Sequence, residues 1–189
     1  MELKKIVVAS GNKHKIEEIK SIFKGVEIVS MKDMGFDEDI EENGATFKEN
    51  AYIKAKAVCD ALGVPALSDD SGLCVDVLDG APGIYSARFS GGNDKDNRDL
   101  LLRRLSGITE RSARFECAVC LCFPDGKSLF GLGHTEGSIL QEEIGSNGFG
   151  YDCIFYSKDL KKSFGVATEE EKNSVSHRYR ALCDLIEKL

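Results

Sequence analysis

The most constraining feature of this sequence is the stretch Ser68-Asp69-Asp70-Ser71-Gly72, which lies between two short apolar runs. Residues 64–67 and 73–77 have the composition of strands, so we predict that the acids lie at a strand end, with Gly72 in a turn. Adjacent carboxylates repel each other and lose solvation when buried, so a fold that holds them beside its core usually supplies a cation. Oxygen ligands suit Mg²⁺, which also accepts substrate phosphates. A solvated acidic turn is the alternative, and the pentapeptide alone leaves both open.

Length and charge limit the class of protein. The chain has 189 residues, enough for one domain with its own core, in one or two lobes, and we predict a single domain over residues 1–189. Its net charge of −7 argues against non-specific nucleic-acid binding, which needs a basic face. No apolar run approaches the roughly 18 residues of a membrane helix, and the N-terminus has no signal-peptide core. We therefore expect a cytoplasmic protein that binds neither nucleic acid nor membranes.

The seven cysteines predict buried thiols rather than disulfides. Their number is odd and they are scattered through apolar segments, which is typical of a reducing compartment. Cys117-x-x-Cys120 resembles half of a zinc site. However, residues 115–123 have the pattern of one strand, in which positions three apart face opposite sides. We therefore do not assign a metal to these cysteines.

The N-terminal segment predicts a strand, a turn and a helix. Residues 5–9 form a β-branched run, Ser10-Gly11-Asn12 forms a small polar turn, and an apolar stripe predicts a helix from about Lys13. Free backbone N–H groups at such a helix start favour an anion, and Lys15 lies in the first turn. Many such turns bind nothing, and this one is neither a Walker P-loop nor a GxGxxG fingerprint.

An acidic loop and a well-marked helix follow. Residues 26–31 predict a second strand, and the loop that ends at Asn43-Gly44 carries several acids, of which one or two could face a metal beside Asp70. Thr46 and Glu49 form a capping box, which predicts a helix over residues 47–62. Lys54 falls on the apolar face of that helix, where a lysine either extends to solvent or meets an anion.

The C-terminal third offers a glycine-rich loop and two helix starts. Residues 145–152 contain Phe149 and Tyr151, two aromatics that could stack on a base, or the loop could be an ordinary one with Phe149 in the core. Residues 168–171 form a second capping box. Ser176 can cap the last helix, which puts His177 and Arg178 in its first turn, where basic side chains suit an anion or a carbonyl-rich ligand.

Taken in order along the chain, these motifs resemble the non-canonical purine nucleoside triphosphate pyrophosphatase family, also called the inosine triphosphate pyrophosphatase family. The resemblance runs from the first strand to the last helix, and residues 69–73 with 176–178 are specific in combination. It implies an α/β fold with a mixed central sheet, flanking helices and an active-site cleft between two lobes. It further implies a homodimer, and Mg²⁺-dependent hydrolysis of dITP, ITP and XTP to the monophosphate and pyrophosphate.

The resemblance also implies roles for individual residues. Asp70 would bind the metal together with Glu41, with Glu42 as the alternative, and would act as base toward water, with Asp69 in support. Ser10, which stands where the family commonly has Thr, would begin the triphosphate-binding segment. The remaining substrate contacts would come from Gly11, Asn12, Lys13, His14, Lys15, Lys54, Ser71, Phe149, Gly150, Tyr151, Asp152, Lys172, His177 and Arg178.

Two other functions stay open at this stage. One is a pyrophosphatase of similar architecture that acts on pyrimidine or modified nucleotides. The other is a regulatory module that binds triphosphates without cleaving them, which would need the lysines and aromatics but not the acids.

Overall fold

The computed structural model describes residues 3–189, and its strands form one mixed sheet. The strands found among these residues are β1 (Lys5–Val8), β2 (Glu27–Ser30), β3 (Ala66–Val75), β4 (Ser112–Cys122), β5 (Ser128–Ile139), β6 (Phe155–Ser157) and β7 (Lys162–Ser163). Their order in the sheet is β2-β1-β3-β4-β5-β6-β7. β1 pairs in parallel with β2 and β3, whereas β6 pairs antiparallel with β5 and β7. The predicted α/β class with a mixed sheet is confirmed.

Five α-helices accompany the sheet in the described part of the chain. They are α1 (Lys13–Ile22), α2 (Phe47–Leu62), α3 (Asp94–Arg104), α4 (Glu169–Val175) and α5 (His177–Ile186). Side chains at the first four N-termini accept backbone N–H groups, and the capping motifs predict this for Thr46 and Thr168. The helix predicted over residues 47–62 has the expected bounds, with Thr46 as its cap. No helix within residues 3–189 has the length and apolar character that crossing a membrane requires.

The chain divides into two compact units. Unit 1 comprises the chain up to Asp70 together with Cys117–Gly133 and Arg178–Leu189, and unit 2 comprises Ser71–Glu116 and His134–His177. Unit 1 has two apolar clusters, one formed with α1 and α5 and the other with α2. Unit 2 has one cluster, whose aromatic members are Phe115, Tyr151, Phe155 and Phe164.

The cysteines lie as the strand pattern predicts. Cys117 belongs to the cluster with α1 and α5, whereas Cys120 belongs to the cluster with α2, so the two face opposite sides of β4. All seven thiols are free, and six of them are buried. The prediction of buried thiols is therefore confirmed for six of the seven, and Cys183 is half-buried.

The predicted turn at residues 68–72 is wrong. β3 continues through these residues without a break, and Ser68, Asp69 and Asp70 are all buried within it. Successive side chains of a strand point to opposite faces, so the two carboxylates do not have to share one environment. The sequence reads as a turn because acids and glycine are uncommon in strands, but buried ionic partners outweigh that preference here.

The glycines of β5 serve close packing rather than bends. The strand is continuous across them. A Cβ added at Gly131 would lie 2.0 Å from the carbonyl oxygen of Ala181, and one at Gly137 would lie 2.3 Å from that of Tyr156. Only glycine permits the backbones to approach this closely at the two positions.

Candidate functional site

Asp70 lies on the face of β3 that packs against α2. Asn50 donates from Nδ2 to Asp70 Oδ2 at 3.0 Å, and Lys54 Nζ lies 3.8 Å from Asp70 Oδ1. Burial raises the pKa of Asp70, while Lys54 and the Asn50 hydrogen bond oppose the rise. Asp70 is therefore a stronger base than an ordinary carboxylate and has a cation next to it, which is the setting required of a group that activates water.

Lys54 meets anions instead of extending to solvent. Its side chain is 12% exposed, and its Nζ lies 2.9 Å from Glu42 Oε2. Of the two loop acids considered from the sequence, the structure thus places Glu42 beside Lys54 and Asp70, whereas Glu41 is exposed. The lysine joins the acidic loop to β3.

Asp69 projects to the opposite face and enters a buried ionic network. Its Oδ2 lies 3.0 Å from Lys15 Nζ and accepts from Arg178 Nη2 at 3.0 Å and Nε at 3.1 Å. Arg178 Nη1 also donates to Glu18 Oε2. Burial alone would raise the pKa of Asp69, but Lys15 and Arg178 outweigh it and lower that pKa, so Asp69 is ionised.

The start of α1 is already partly satisfied by its own cap. Asn12 Oδ1 accepts the backbone N–H groups of His14 at 3.0 Å and Lys15 at 3.4 Å, and Ser10 Oγ accepts that of Asn12 at 3.1 Å. The expectation of free N–H groups is therefore wrong for His14 and Lys15. Lys13 and His14 have exposed side chains, and Lys13 thus presents positive charge to solvent.

In unit 2, Lys172 and Asp152 form a buried pair. Lys172 Nζ lies 2.7 Å from Asp152 Oδ2, which also accepts the backbone N–H of Phe149 at 2.8 Å. The same ammonium lies 4.6 Å from the centroid of the Phe149 ring. This arrangement holds the loop and its half-buried Phe149 ring in place. An aromatic ring of this kind is a surface on which a base can stack.

Tyr151 does not offer the second stacking surface that the sequence suggests. Its ring is 5% exposed and belongs to the core of unit 2, and its hydroxyl donates to the Ser86 carbonyl at 2.8 Å. The neighbouring Gly150 is held through its backbone, since its carbonyl accepts from Arg98 at 2.9 Å and its N–H donates to Asp94 at 3.2 Å. The expectation of two exposed aromatics is therefore wrong for Tyr151.

His177 is positioned by an aromatic neighbour. Its ring stacks on Phe115, with centroids 4.9 Å apart and an interplanar angle of 14°, and it is 5% exposed. Ser71, the first residue of unit 2, is half-buried in β3 directly after Asp70. Both belong to unit 2 with Lys172 and Asp152.

The structure brings most of the predicted residues into three groups. The first contains Asp70, Lys54 and Glu42, the second Asp69, Lys15 and Arg178, and the third Lys172, Asp152 and Phe149. Sequence reasoning missed two residues that hold these groups in place, Asn50 and Glu18, and it also missed Phe115, on which His177 stacks. The available signal for the two polar residues was their place within an apolar stripe, beside Ala51 and beside Ile19.

The first group suits a Mg²⁺ ion that keeps several waters better than it suits a metal enclosed entirely by protein side chains. Within residues 3–189, no three or more His, Cys, Asp or Glu side chains are placed to enclose a metal. Mg²⁺ usually takes one or two carboxylates and completes its shell with waters and substrate phosphates. Asp70 and Glu42, which both contact Lys54, supply that number of carboxylates.

The chain belongs to the Ham1 family, whose family model matches residues 6–188. A dITP/XTP pyrophosphatase of Campylobacter jejuni subsp. jejuni is 47% identical over 188 residues, covering 94% of this chain and 93% of that protein. A dITP/XTP pyrophosphatase of Bacillus anthracis is 43% identical over 195 residues, covering 99% and 96%. The family resemblance predicted from the sequence is confirmed.

Solved structures agree with the fold. The Ham1 protein of Staphylococcus aureus superposes with a TM-score of 0.88 at 41% identity, covering 95% of each chain. A HAM1 protein from Coxiella burnetii gives a TM-score of 0.90 at 36% identity, covering 98% of each. The mixed sheet with flanking helices is thus the fold of this family.

Proposed function

We propose that this protein hydrolyses deaminated purine nucleoside triphosphates, namely dITP, ITP and XTP, to the nucleoside monophosphate and pyrophosphate. One observation carries the proposal: a chain 47% identical to a dITP/XTP pyrophosphatase holds the buried Asp70 beside Lys54. Removing these nucleotides would clear deaminated purines from the nucleotide pool. We include in the proposal a single functional domain over the whole chain, a homodimer and a cytoplasmic location.

The phosphate chemistry is assigned to residues of unit 1. A triphosphate carries about four negative charges, which must be neutralised before water can approach phosphorus. Lys15, Lys54 and the exposed Lys13 supply positive charge, and Ser10 supplies a hydroxyl donor. Asp70 and Glu42 would hold Mg²⁺, which when bound polarises phosphoryl oxygens and neutralises charge on the triphosphate.

Asp70 is assigned the role of base. Its carboxylate accepts from Asn50 and lies beside Lys54, so it is held in place and can orient a water or take its proton. Asp69 faces the other side of β3 and binds Lys15 and Arg178. We therefore assign a positioning role to Asp69. We assign the same role to Arg178, which pairs with Asp69 and Glu18.

Base recognition is assigned to unit 2. Phe149 would stack on the purine, and Asp152, Lys172 and His177, with the second lone pair of the Gly150 carbonyl oxygen, would contact its edges. Donors aimed at a 6-keto oxygen accept inosine and xanthine but leave the 6-amino group of adenine without an acceptor, which can exclude it by several powers of ten. Guanine also has a 6-keto group, so its exclusion needs a further contact near C2.

A substrate panel tests the proposal. The protein is incubated with Mg²⁺ and each of dITP, ITP, XTP, ATP, GTP, dTTP and UTP, and pyrophosphate and orthophosphate are measured separately. We expect pyrophosphate from the first three and little from the others. Equal slow turnover of all purines, release of orthophosphate, or preference for dTTP or UTP would contradict it. Tight ITP binding without any product would favour a regulatory module.

A further inference from the structure

The buried side-chain amide of Asn50 makes two hydrogen bonds. It is 1% exposed and lies on α2 between Thr46 and Lys54. Its Nδ2 donates to Asp70 Oδ2 at 3.0 Å, and its Oδ1 accepts the backbone N–H of Gly44 at 2.9 Å. The amide therefore links β3 to the end of the acidic loop.

The chemistry of the partners fixes which way this amide points. A backbone N–H can only donate, so the group that faces Gly44 must be the carbonyl oxygen of Asn50. An ionised carboxylate can only accept, so the group that faces Asp70 must be the NH₂. No other uncharged side chain of this length offers a donor and an acceptor in these two directions.

Gly44 approaches Asn50 too closely for any side chain. A Cβ added at Gly44 would lie 2.7 Å from Asn50 Oδ1 and 2.7 Å from Glu49 Cβ. Gly44 is two positions after Glu42, which contacts Lys54. Holding Gly44 against α2 thus also limits where Glu42 can lie.

We propose that Asn50 is a positioning residue of the reaction, which orients the Asp70 carboxylate and, through Gly44, keeps Glu42 beside Lys54. The inference rests on the proposed function and adds to it a residue that acts through Asp70 and Glu42. Its contribution is geometric, because partners that orient a metal-binding or reacting carboxylate control activity almost as strongly as the carboxylate itself.

Asn50→Asp is the sharpest test, because it keeps the size of the side chain and the acceptor toward Gly44 but removes the donor toward Asp70. At a pH where both carboxyls are ionised, we expect kcat for ITP to fall by about 10–100-fold while KM changes by less than about threefold. Gly44→Ala should also lower kcat, because its added Cβ displaces the side-chain amide of Asn50. This variant does not alter the chemical groups of Asn50 and Asp70.

Asn97→Asp is the matched control. Asn97 is also 1% exposed on a helix, and its amide likewise accepts a backbone N–H, from Ser90 at 2.8 Å, and donates, to the Ala87 carbonyl at 3.1 Å. The control therefore measures how much stability and activity are lost when a buried carboxylate is introduced at a position remote in sequence from Asp70. We expect a comparable loss of thermal stability with kcat within about twofold of the wild type.

The outcomes separate this inference from the function on which it rests. If the wild type releases pyrophosphate and Asn50→Asp matches Asn97→Asp in kcat, the role of Asn50 is overturned. If the wild type releases no pyrophosphate, the proposed function fails, and crystal structures then test the positioning role of Asn50. An Asn50→Ala variant should show a rotated Asp70 carboxylate and a detached Gly44, and unchanged positions of both would overturn the inference.

Discussion

Arg178 binds Asp69 through two of its N–H groups, from Nη2 at 3.0 Å and from Nε at 3.1 Å, although the two residues are 109 positions apart. Both side chains are buried, and Lys15 and Glu18 complete the network with one further charge of each sign. The network fastens the start of α5 to β3 within unit 1. Two basic and two acidic side chains balance in charge, so removing any single one of them leaves the network uncompensated.

Arg178→Met should destabilise the protein strongly. Removing one member of a buried ionic pair leaves its partners without compensation, which costs about 3–5 kcal/mol of unfolding free energy. Urea unfolding measures the loss. A double variant that adds Glu18→Gln should recover more than half of it, since Asp69 and Lys15 then balance each other. A single variant as stable as the wild type would contradict the importance of the network.

Asp70→Asn should abolish turnover and leave the fold intact. The substitution conserves the shape of the side chain but removes its ability to accept a proton, which should lower kcat by about 10²–10⁴-fold. Pyrophosphate release measures the activity, and circular dichroism checks the fold. Asp99→Asn serves as control and should be fully active, because Asp99 is only half-buried and pairs with Lys95 on α3. Retained activity in Asp70→Asn would remove Asp70 as the base.

Lys172→Met should weaken substrate binding more than chemistry. The variant keeps the stem of the side chain but loses the ammonium that contacts Asp152 and the Phe149 ring. We expect KM for ITP to rise by about tenfold or more with a smaller change in kcat, because this group is assigned to the base and not to phosphorus. Lys162→Met is the control, since Lys162 pairs with Glu171 at 2.6 Å in a more exposed site of the same unit. A pure loss of kcat would refute the assignment.

Removal of the metal should stop the reaction without unfolding the protein. Asp70 already has contacts with Asn50 and Lys54, and Glu42 with Lys54, so the folded state does not depend on a cation to hold these acids. We expect EDTA to abolish pyrophosphate release, excess Mg²⁺ to restore it, and Tm to shift by less than about 2 °C. Undiminished activity in EDTA would contradict the proposed metal dependence.

Tyr151→Phe should change how stability depends on alkaline pH. Burial, with a further contribution from Asp94, raises the pKa of Tyr151, so the folded state keeps the proton while the unfolded state releases it near pH 10. The group therefore stabilises the fold below about pH 10 and loses that effect as pH rises further. The variant should lose about 1 kcal/mol at neutral pH, from the Ser86 hydrogen bond, and decline less steeply above pH 10.

Urea midpoints across a pH series measure this difference. Tyr85→Phe is the control, because the Tyr85 side chain is 56% exposed and should change neither quantity. An identical alkaline decline in the wild type and in Tyr151→Phe would show that Tyr151 stays accessible to hydroxide.

Sequence patterns located most elements because local chemistry decides where they begin. Thr46 and Thr168 cap α2 and α4 as predicted, and the alternation in β4 separates Cys117 from Cys120. The turn predicted at residues 68–72 failed because its acids are stabilised by partners far away in sequence, such as Arg178. Propensity alone carries no information on such partners.

The same reason explains what was missed at the candidate site. Lys54 could be placed on the apolar face of α2, but its position did not reveal whether an anion lay opposite. Tyr151 was interpreted as a stacking surface, since a tyrosine in a glycine-rich loop gives no local sign that its hydroxyl reaches Ser86. Asn50 was visible only as a polar residue in an apolar stripe, and its two partners come from separate segments.

The alternation of Asp69 and Asp70 along β3 determines which kinds of genetic change this strand can tolerate. Because side chains swap sides at every step, deleting or inserting one codon between Ala66 and Ser68 would move each acid to the opposite face of the strand. An insertion would place Asp69 where Asp70 now faces Asn50, and a deletion would place Asp70 where Asp69 now faces Arg178. The segment can therefore tolerate some substitutions, whereas it cannot tolerate a change in its length.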